Sequence, residues 1–159
     1  MSHSTSSEAA ASMEPDAVAQ SSTVAFSSRR GSVQAPMVVS EIADGCLYSG
    51  FFGRLDSARM KQIVDRILES VEQYACEVII VDLASIDIID SIVAGQLLKV
   101  GETLKLVGVS TIFCGISPIV AQTMVGTGVS FDGFTVKRNL KEALKTVLAY
   151  DSVVLERGA

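Results

Sequence analysis

The sequence from Ile80 to Ala94 reads Ile-Val-Asp-Leu-Ala-Ser-Ile-Asp-Ile-Ile-Asp-Ser-Ile-Val-Ala, and the rest of the chain is organised around it. An apolar run bounded by acidic and small residues predicts a buried strand from Val78 to Leu83. A helix is predicted from Ser91 to about Val107. Asp90 and Ser91 are both residue types that cap helices, so the helix begins at one or the other.

Ser91 is the residue of this stretch that we single out as functional. The first turn of a helix carries unpaired N–H groups and the positive end of the helix dipole, and both favour a phosphate group. A hydroxyl at this position is therefore a candidate phosphate acceptor rather than a catalytic nucleophile.

The composition indicates one domain with a tail and more apolar surface than one small core requires. Hydrophobic residues make up 48% of the 159 residues and charged residues only 19%, and the mean hydropathy is +0.41. This balance predicts self-association. The net charge of −5 argues against a nucleic-acid partner.

The cysteines and the lengths of the apolar runs indicate in which cellular compartment the protein is expected. Cys46, Cys76 and Cys114 have no spacing typical of a metal site, so we expect small core residues in a reduced, cytoplasmic protein. No apolar run approaches the roughly 18 residues of a membrane helix. The N-terminus has no apolar segment of the secretory type, so neither a membrane span nor a secretory signal is expected.

Residues 1–36 differ in composition from the remainder of the chain. They are rich in Ser, Thr, Ala and Gln, and we expect a disordered Ser/Thr-rich tail. The run Arg29-Arg30-Gly31-Ser32 resembles a kinase recognition sequence, although an ordinary solvated tail is the favoured interpretation. The folded domain is expected over residues 37–150, followed by a C-terminal tail at residues 151–159.

The order of the predicted elements is ββαβαβαβα. Two short strands around Asp44-Gly45 predict a hairpin, after which helices and strands alternate. This order predicts an α/β fold with a mixed, mainly parallel β-sheet, an antiparallel edge and about four flanking helices. Asp56, Ser117 and Asn139 are predicted helix caps. The last helix is expected to direct inward its apolar residues Leu140, Ala143, Leu144, Val147 and Leu148.

In folds of this kind, sites gather at the carboxyl ends of the strands. Ser91 lies at one such junction and Ser117 at the neighbouring one. Thr123 follows about two turns into the helix that starts beside Ser117.

Several kinds of catalytic or cofactor site are disfavoured by the residues. The single histidine, His3, lies in the predicted tail, so no triad based on histidine is available. No glycine-rich phosphate loop of the common types occurs. Asp82, Asp87 and Asp90 together could supply oxygen ligands to Mg²⁺, but helix capping and backbone hydrogen bonding explain them better. Neither a metal site nor a cofactor is predicted.

A response-regulator receiver is a second α/β fold to weigh, because Asp82 follows a buried strand as a receiver's phospho-accepting aspartate does. That chemistry also needs an acidic pair after the first strand, and here only Glu41 and Asp44 are present, separated by two residues. Lys137 after the last strand is one matching feature. The receiver interpretation is therefore disfavoured.

Two glycines, Gly95 and Gly101, lie within the Ser91 helix, where each costs about 1 kcal/mol relative to alanine. Ala94 and Gly95 would form a smooth patch that a partner could approach closely. Tight packing of the helix against the sheet explains the small residues equally well, and both interpretations stay open.

Two motifs resemble the STAS domain, the fold of bacterial anti-sigma factor antagonists. The first is the run from Val81 to Ala94, in which Asp90-Ser91 matches the Asp-Ser or Asp-Thr phosphorylation pair of that family. The second runs from Gly115 to Val125 and is similar to stressosome proteins of the RsbR and RsbS type. Residues 53–59 and 115–125 resemble RsbR, whereas Ser91 and the length of the chain resemble RsbS, and both roles stay open.

The resemblance implies a non-enzymatic stressosome component with phosphorylation sites at Ser91 and Thr123. Its implied partners are a switch serine/threonine kinase of the RsbT type, a phosphatase and other STAS proteins in a large oligomer. Partner contacts are expected at Asp87, Asp90, Ala94 and Gly95. The alternatives are a soluble antagonist similar to SpoIIAA, which would bind an anti-sigma factor kinase, and a STAS module that binds a small ligand near the Ser91 helix.

Overall fold

The computed structural model describes residues 37–128 and 130–157. The predicted tail at 1–36, including Ser32, lies outside the described residues. The described elements follow the predicted order: β1 (Met37–Ala43), β2 (Cys46–Gly53), α1 (Ser57–Gln73), β3 (Val78–Ile86), α2 (Ser91–Leu106), β4 (Ser110–Cys114), α3 (Pro118–Gly126), β5 (Thr135–Lys137) and α4 (Leu140–Arg157).

The five strands form one sheet in the order β1-β2-β3-β4-β5. Strands β1 and β2 pair antiparallel across the Asp44-Gly45 turn, and every later pairing is parallel. The predicted mixed sheet with an antiparallel edge and four helices is therefore confirmed. Receiver domains use the strand order 2-1-3-4-5, so the topology also argues against that alternative.

Strand β3 is the centre of the sheet and is buried on both of its faces. Ile79, Val81 and Leu83 point into a large core beneath α1, α2 and α3. Ile80 points to the opposite face, into a smaller core beneath α4. Because successive side chains of a strand alternate between faces, a continuous apolar run such as β3 needs helices on both sides.

The helices begin at the predicted caps. Side-chain oxygens of Asp56, Asp90, Ser117 and Asn139 accept hydrogen bonds from backbone N–H groups three residues later. The buried face of α1 consists of Met60, Ile63, Ile67 and Val71, which repeat at helical spacing. All three cysteines are buried, as expected of small core residues.

Three boundaries differ from the sequence predictions. Strand β3 runs three residues further, to Ile86, because Phe52 and Gly53 of β2 continue the pairing beyond a bulge. Strand β4 ends at Cys114, two residues before Ile116, where the apolar run from Ser110 predicts its end, since Gly115 turns the chain with a φ of +70°. Helix α4 continues to Arg157, past the boundary predicted at residue 150, because no glycine or proline interrupts the sequence before Gly158.

The prediction that Leu148 points inward is wrong, since its side chain is 63% exposed. Ala143 and Val147 lie one turn apart and are buried against the sheet. Leu148 follows Val147 directly, so it is rotated by about 100° away from that stripe. In the described part of the chain, no helix combines the length and the hydropathy needed to cross a bilayer.

The two glycines of α2 have different surroundings. A Cβ atom at Gly101 would lie 2.7 Å from Cε1 of Phe134 and 3.4 Å from Cε2 of Phe113, so this glycine makes room for two aromatic rings. A Cβ atom at Gly95 would have nothing within 4 Å. Tight packing therefore explains Gly101 but does not explain Gly95.

We expect opposite effects on stability from alanine at these two positions. Gly95→Ala should raise the free energy of unfolding by up to about 1 kcal/mol, because alanine is the better helix former and meets no obstacle. Gly101→Ala should lower it by about 1–3 kcal/mol through overpacking, offset in part by the same propensity gain. Urea unfolding of the two variants measures the difference, and equal stabilities would contradict this account of Gly101.

Candidate functional site

Ser91 is the first residue of α2, and the residue that caps this helix is Asp90. The Asp90 Oδ1 atom accepts a hydrogen bond of 2.8 Å from the backbone N–H of Val93, and its carbonyl oxygen accepts one of 3.0 Å from Ala94. The Ser91 side chain is exposed, and its hydroxyl has no hydrogen-bond partner among the described residues. The hydroxyl is thus not needed to cap the helix and is free to react.

The loop before Ser91 is attached both to the large core and to the end of β2. Ile89 is only 4% exposed and anchors the loop in the large core. The backbone N–H of Asp87 donates a hydrogen bond of 3.3 Å to the carbonyl oxygen of Gly53 at the end of β2. These two attachments hold the exposed side chains of Asp87 and Ile88 beside the start of α2.

Two exposed isoleucines flank Ser91, and sequence reasoning missed them. Ile88 is 56% exposed and Ile92 is 63% exposed. Ile92 lies in the first turn of α2, outside the buried stripe that includes Val93 and Leu97, and Ile88 lies in the loop just before the helix. An apolar residue outside the buried stripe of a helix was the signal in the sequence that could have identified Ile92 as exposed. We call residues Asp87, Ile88, Ser91, Ile92 and Gly95 the Ser91 surface.

The structure separates the two small residues that follow Ser91. Ala94 has no exposed surface and packs in the large core, so the prediction that it contacts a partner is wrong. Its methyl group faces the sheet because it belongs to the buried side of α2. Gly95 is partly exposed, lies one turn after Ser91, and leaves open space where a side chain would stand.

Thr123 lies in α3, which begins at the end of the neighbouring strand, β4. Its side chain is half-buried, and its hydroxyl donates a hydrogen bond of 3.2 Å to the carbonyl oxygen of Ile119. Ser117 caps the same helix, and its hydroxyl oxygen accepts the hydrogen bond from the backbone N–H of Val120. Because β3 and β4 are parallel, α2 and α3 both start at the same edge of the sheet. Thr123 is less accessible than Ser91.

The three acidic residues near this edge have separate roles. Asp82 accepts hydrogen bonds from the Tyr48 hydroxyl at 2.9 Å and from the backbone N–H of Ala84 at 3.0 Å. Asp90 caps α2, and Asp87 is exposed. Among residues 37–128 and 130–149, no three His, Cys, Asp or Glu side chains lie close enough together to hold a metal ion.

Gly115, the residue after β4, packs directly against the last part of β3. A Cβ atom here would lie 2.7 Å from the Cβ of Ala84 and 2.8 Å from Oδ1 of Asp82, and the residue has a φ of +70°. Only glycine fits such a backbone without strain. The segment that leads to Ser91 and the segment that leads to α3 therefore pack directly on each other.

Asp82 also affects two groups beneath α4, the buried thiol of Cys114 and the partly buried hydroxyl of Tyr48. Burial raises the pKa of the Cys114 thiol to about 12, with further contributions from the negative charge of Asp82 and a hydrogen bond to it. The pKa of Tyr48 is raised for similar reasons, first by burial and then by its hydrogen bond to Asp82. Both groups therefore stay protonated, and Cys114 is an unreactive thiol.

Comparison with known families identifies the domain. The model of the STAS domain matches residues 37–143. The chain belongs to the STAS domain family. The match begins at β1 and ends in α4, so it includes both Ser91 and Thr123.

The curated relatives are longer proteins. The STAS chain is 37% identical over 92 residues to the RsbT co-antagonist protein RsbRB of Bacillus subtilis (strain 168), covering 58% of this chain and 33% of the relative. It is 33% identical over 121 residues to RsbRC of the same organism, covering 76% of this chain and 42% of the relative. The chain thus spans less than half the length of these relatives.

Solved structures share the fold at lower identity. A serine-to-glutamate variant of RsbS from Moorella thermoacetica superposes with a TM-score of 0.62 at 20% identity, covering 74% of this chain and 97% of that one. A chain from the structure described as the molecular architecture of the stressosome superposes with a TM-score of 0.59 at 20% identity, covering 72% of this chain and 98% of that one. The unphosphorylated anti-sigma factor antagonist SpoIIAA superposes with a TM-score of 0.59 at 23% identity, covering 71% of this chain and 96% of that one.

We expect the stability of this STAS domain to fall in alkaline solution. The folded protein holds the protons of Cys114 and Tyr48 more tightly than the unfolded chain does, so their contribution is complete below the unfolded pKa of 9.0 for the thiol and is lost as the pH rises towards 12. Urea unfolding at a series of alkaline pH values measures this slope.

The double variant with Cys114→Ala and Tyr48→Phe is the control. Its slope of unfolding free energy against pH should be smaller than that of the parent protein above pH 9.0, although Cys76, whose pKa burial also raises, is still present. Identical slopes in the two proteins would show that these groups do not carry the effect.

Proposed function

We propose that this STAS protein is a stressosome component of the RsbR or RsbS type, which holds a switch kinase of the RsbT type and releases it when Ser91 is phosphorylated. The observation that carries the proposal is the free, exposed Ser91 hydroxyl, flanked by two exposed isoleucines at the start of α2. The names of the curated relatives, RsbT co-antagonist proteins, support the choice of partner.

In its unmodified state, the Ser91 surface offers a partner an apolar contact with room for close approach. Ile88 and Ile92 supply exposed apolar area, and Gly95 leaves space beside them. Exposed apolar side chains that cluster are typical of protein interaction sites. Asp87 and Asp90 add negative charge, which favours a partner with a basic rim.

Phosphorylation would reverse this preference through electrostatics. A phosphoserine adds roughly −1.5 to −2 charges beside Asp87 and Asp90. At about 5 Å, the repulsion between unit charges is about 1 kcal/mol in water and about 3 kcal/mol at an effective dielectric constant of 20. The free domain keeps its phosphate in water, so it experiences only the smaller repulsion energy. A docked partner excludes water, so the complex experiences the larger repulsion energy and also the cost of burying the phosphate.

Thr123 would act as a second, slower phosphorylation site. Its hydroxyl must leave the Ile119 carbonyl oxygen before a kinase can reach it. The contact between Gly115 and Ala84 of β3 would connect α3 to the Ser91 surface. We propose further that a phosphatase resets these sites and that the protein acts in the cytoplasm, as a non-enzymatic member of a large oligomer.

The first experiment incubates the protein with an RsbT-type kinase and ATP and maps the phosphorylated residues. We expect label on Ser91, with Thr123 as a secondary site, and loss of the main label in Ser91→Ala. Ser91→Ala should keep its affinity for the kinase, whereas Ser91→Asp should weaken binding by about tenfold, which corresponds to about 1.4 kcal/mol. Equal binding by the two variants would contradict the switch.

The second experiment tests the apolar part of the Ser91 surface. Ile92→Ser should weaken kinase binding by about tenfold, because its side chain supplies exposed apolar area beside the hydroxyl. Leu106→Ser is the matched control, since Leu106 is 88% exposed at the other end of the same helix. Equal losses in both variants would argue against a partner site at Ser91.

The assembly and the partner are tested separately. Light scattering should detect a large oligomer, and a persistent monomer would contradict the stressosome role. Capture of an anti-sigma factor kinase in place of an RsbT-type kinase would instead favour the SpoIIAA-like alternative.

A further inference from the structure

The segment that precedes β1 joins the domain at the same edge of the sheet as Ser91. Met37, the first residue of β1, pairs with Phe51 near the end of β2. Strand β2 runs parallel to β3, and Phe52 pairs with Ser85 near the end of β3. Met37 therefore lies at the carboxyl edge, and two strand spacings, about 10 Å in total, separate β1 from β3.

The chain before Met37 is long enough to reach the Ser91 surface. Residues 1–36 precede it, and Arg30 and Phe26 stand seven and eleven positions before Met37. At about 3.3 Å per residue, these connections span at most about 23 Å and about 36 Å. Both lengths exceed the distance across the sheet from β1 to β3.

Charge favours contact between this segment and the Ser91 surface. Arg29 and Arg30 are the only lysine or arginine residues in the sequence before Met37. On the other side, Asp87 and Asp90 are exposed. Neither carboxylate forms an ion pair with any side chain described in residues 37–128 and 130–149.

The cations at the start of α1 leave these carboxylates available. Arg59 is paired with Asp56 at 3.6 Å, and its guanidinium group also donates a hydrogen bond to the carbonyl oxygen of Arg54. Arg54 follows Gly53, whose carbonyl oxygen accepts the backbone N–H of Asp87, but its exposed guanidinium group forms no ion pair with that carboxylate.

The segment also carries an apolar side chain suited to this surface. Phe26 is the only aromatic residue in the sequence before Met37. Ile88 and Ile92 are more than half exposed, and a Cβ atom at Gly95 would meet nothing within 4 Å. The surface therefore offers a ring apolar contact and open space beside it.

We propose that residues 24–33 of this chain dock on the Ser91 surface, with the ring of Phe26 against Ile88 and Ile92. Docking covers the Ser91 hydroxyl and competes with a partner for the same apolar contact. A connection this short gives an effective concentration in the millimolar range, so a contact of about millimolar affinity is formed in about half of the molecules.

Arg29 and Arg30 pair with the carboxylates of Asp87 and Asp90 in the docked state. The same guanidinium groups also suit a phosphate on Ser91, because hydrogen bonds between arginine and phosphate are among the strong ones in proteins. Docking itself requires no kinase. Its regulatory consequence, restricted access to Ser91 before phosphorylation and a competitor for the partner afterwards, rests on the proposed function.

The experiment uses the fluorescence of a single tryptophan in the full chain. The sequence contains no tryptophan, so Phe26→Trp introduces the only indole, and Val18→Trp is the matched control outside the docking segment. An indole in apolar surroundings emits at shorter wavelength. We expect this shift in Phe26→Trp, with acrylamide quenching weaker by about half than in Val18→Trp. Equal emission and equal quenching at the two positions would overturn the proposal.

Charge variants of the Phe26→Trp chain test the role of the arginines. Arg29→Glu combined with Arg30→Glu should return emission and quenching to the values of the Val18→Trp control. Adding Asp87→Arg should restore part of the protection, because it reverses the charge of the surface as well. Absence of this recovery would show that the arginines do not act through Asp87 and would contradict their assignment to this surface.

Variants of α2 in the Phe26→Trp chain locate the contact. Ile92→Ser should expose the indole, whereas Leu106→Ser, an equally apolar-to-polar change at the other end of the helix, should leave it protected. An indole that stays protected in Ile92→Ser would show that the segment docks elsewhere and would overturn the proposal.

Mixing separates docking within one chain from docking between copies. The Phe26→Trp, Ile92→Ser chain is unfolded and refolded together with an excess of the parent chain, whose own Ser91 surface is intact. The indole should stay exposed, and protection that returns on mixing would show docking between copies and overturn the proposal. None of these measurements uses a kinase, so this proposal and the proposed function can fail independently.

Discussion

The parallel pairing of β3 between β2 and β4 is the constraint on which the rest of the structure depends. Parallel neighbours place their carboxyl ends at one edge of the sheet, and each connection must return across a face of the sheet as a helix. The apolar run of β3 requires cover on both faces, which α2 and α4 help to provide. Ser91 therefore begins its helix at the exposed carboxyl edge of the sheet, directly beside the buried core.

Helix α2 connects two regions with different chemistry. Its first turn carries the Ser91 surface, with a free hydroxyl, exposed isoleucines and carboxylates. Its last turn carries Lys105, which lines a cavity together with the first residues of β4 and β5. Gly101 lies between them and admits the ring of Phe134, so the middle of the helix is fixed by packing while both ends face solvent.

The carboxylates of this edge show how one residue type serves different purposes at neighbouring positions. Asp82 is held by Tyr48 and Ala84 on the α4 side of the sheet, and Asp90 is held by the first turn of α2. Asp87 has no such structural task in its side chain and is exposed. Spacing in the sequence could not distinguish these roles, since each depends on the direction in which a side chain leaves the sheet or the loop.

The sequence by itself determined the order of the elements, the helix caps and the position of Ser91 at a helix start, because periodicity and capping act over a few residues. Only the tertiary structure decided which apolar residues stay exposed. Ala94 is buried, whereas Ile88, Ile92 and Leu148 are not, since burial depends on which side of a helix or loop meets the core. The cavity at Lys105 likewise joins residues distant in sequence, which only folding brings together.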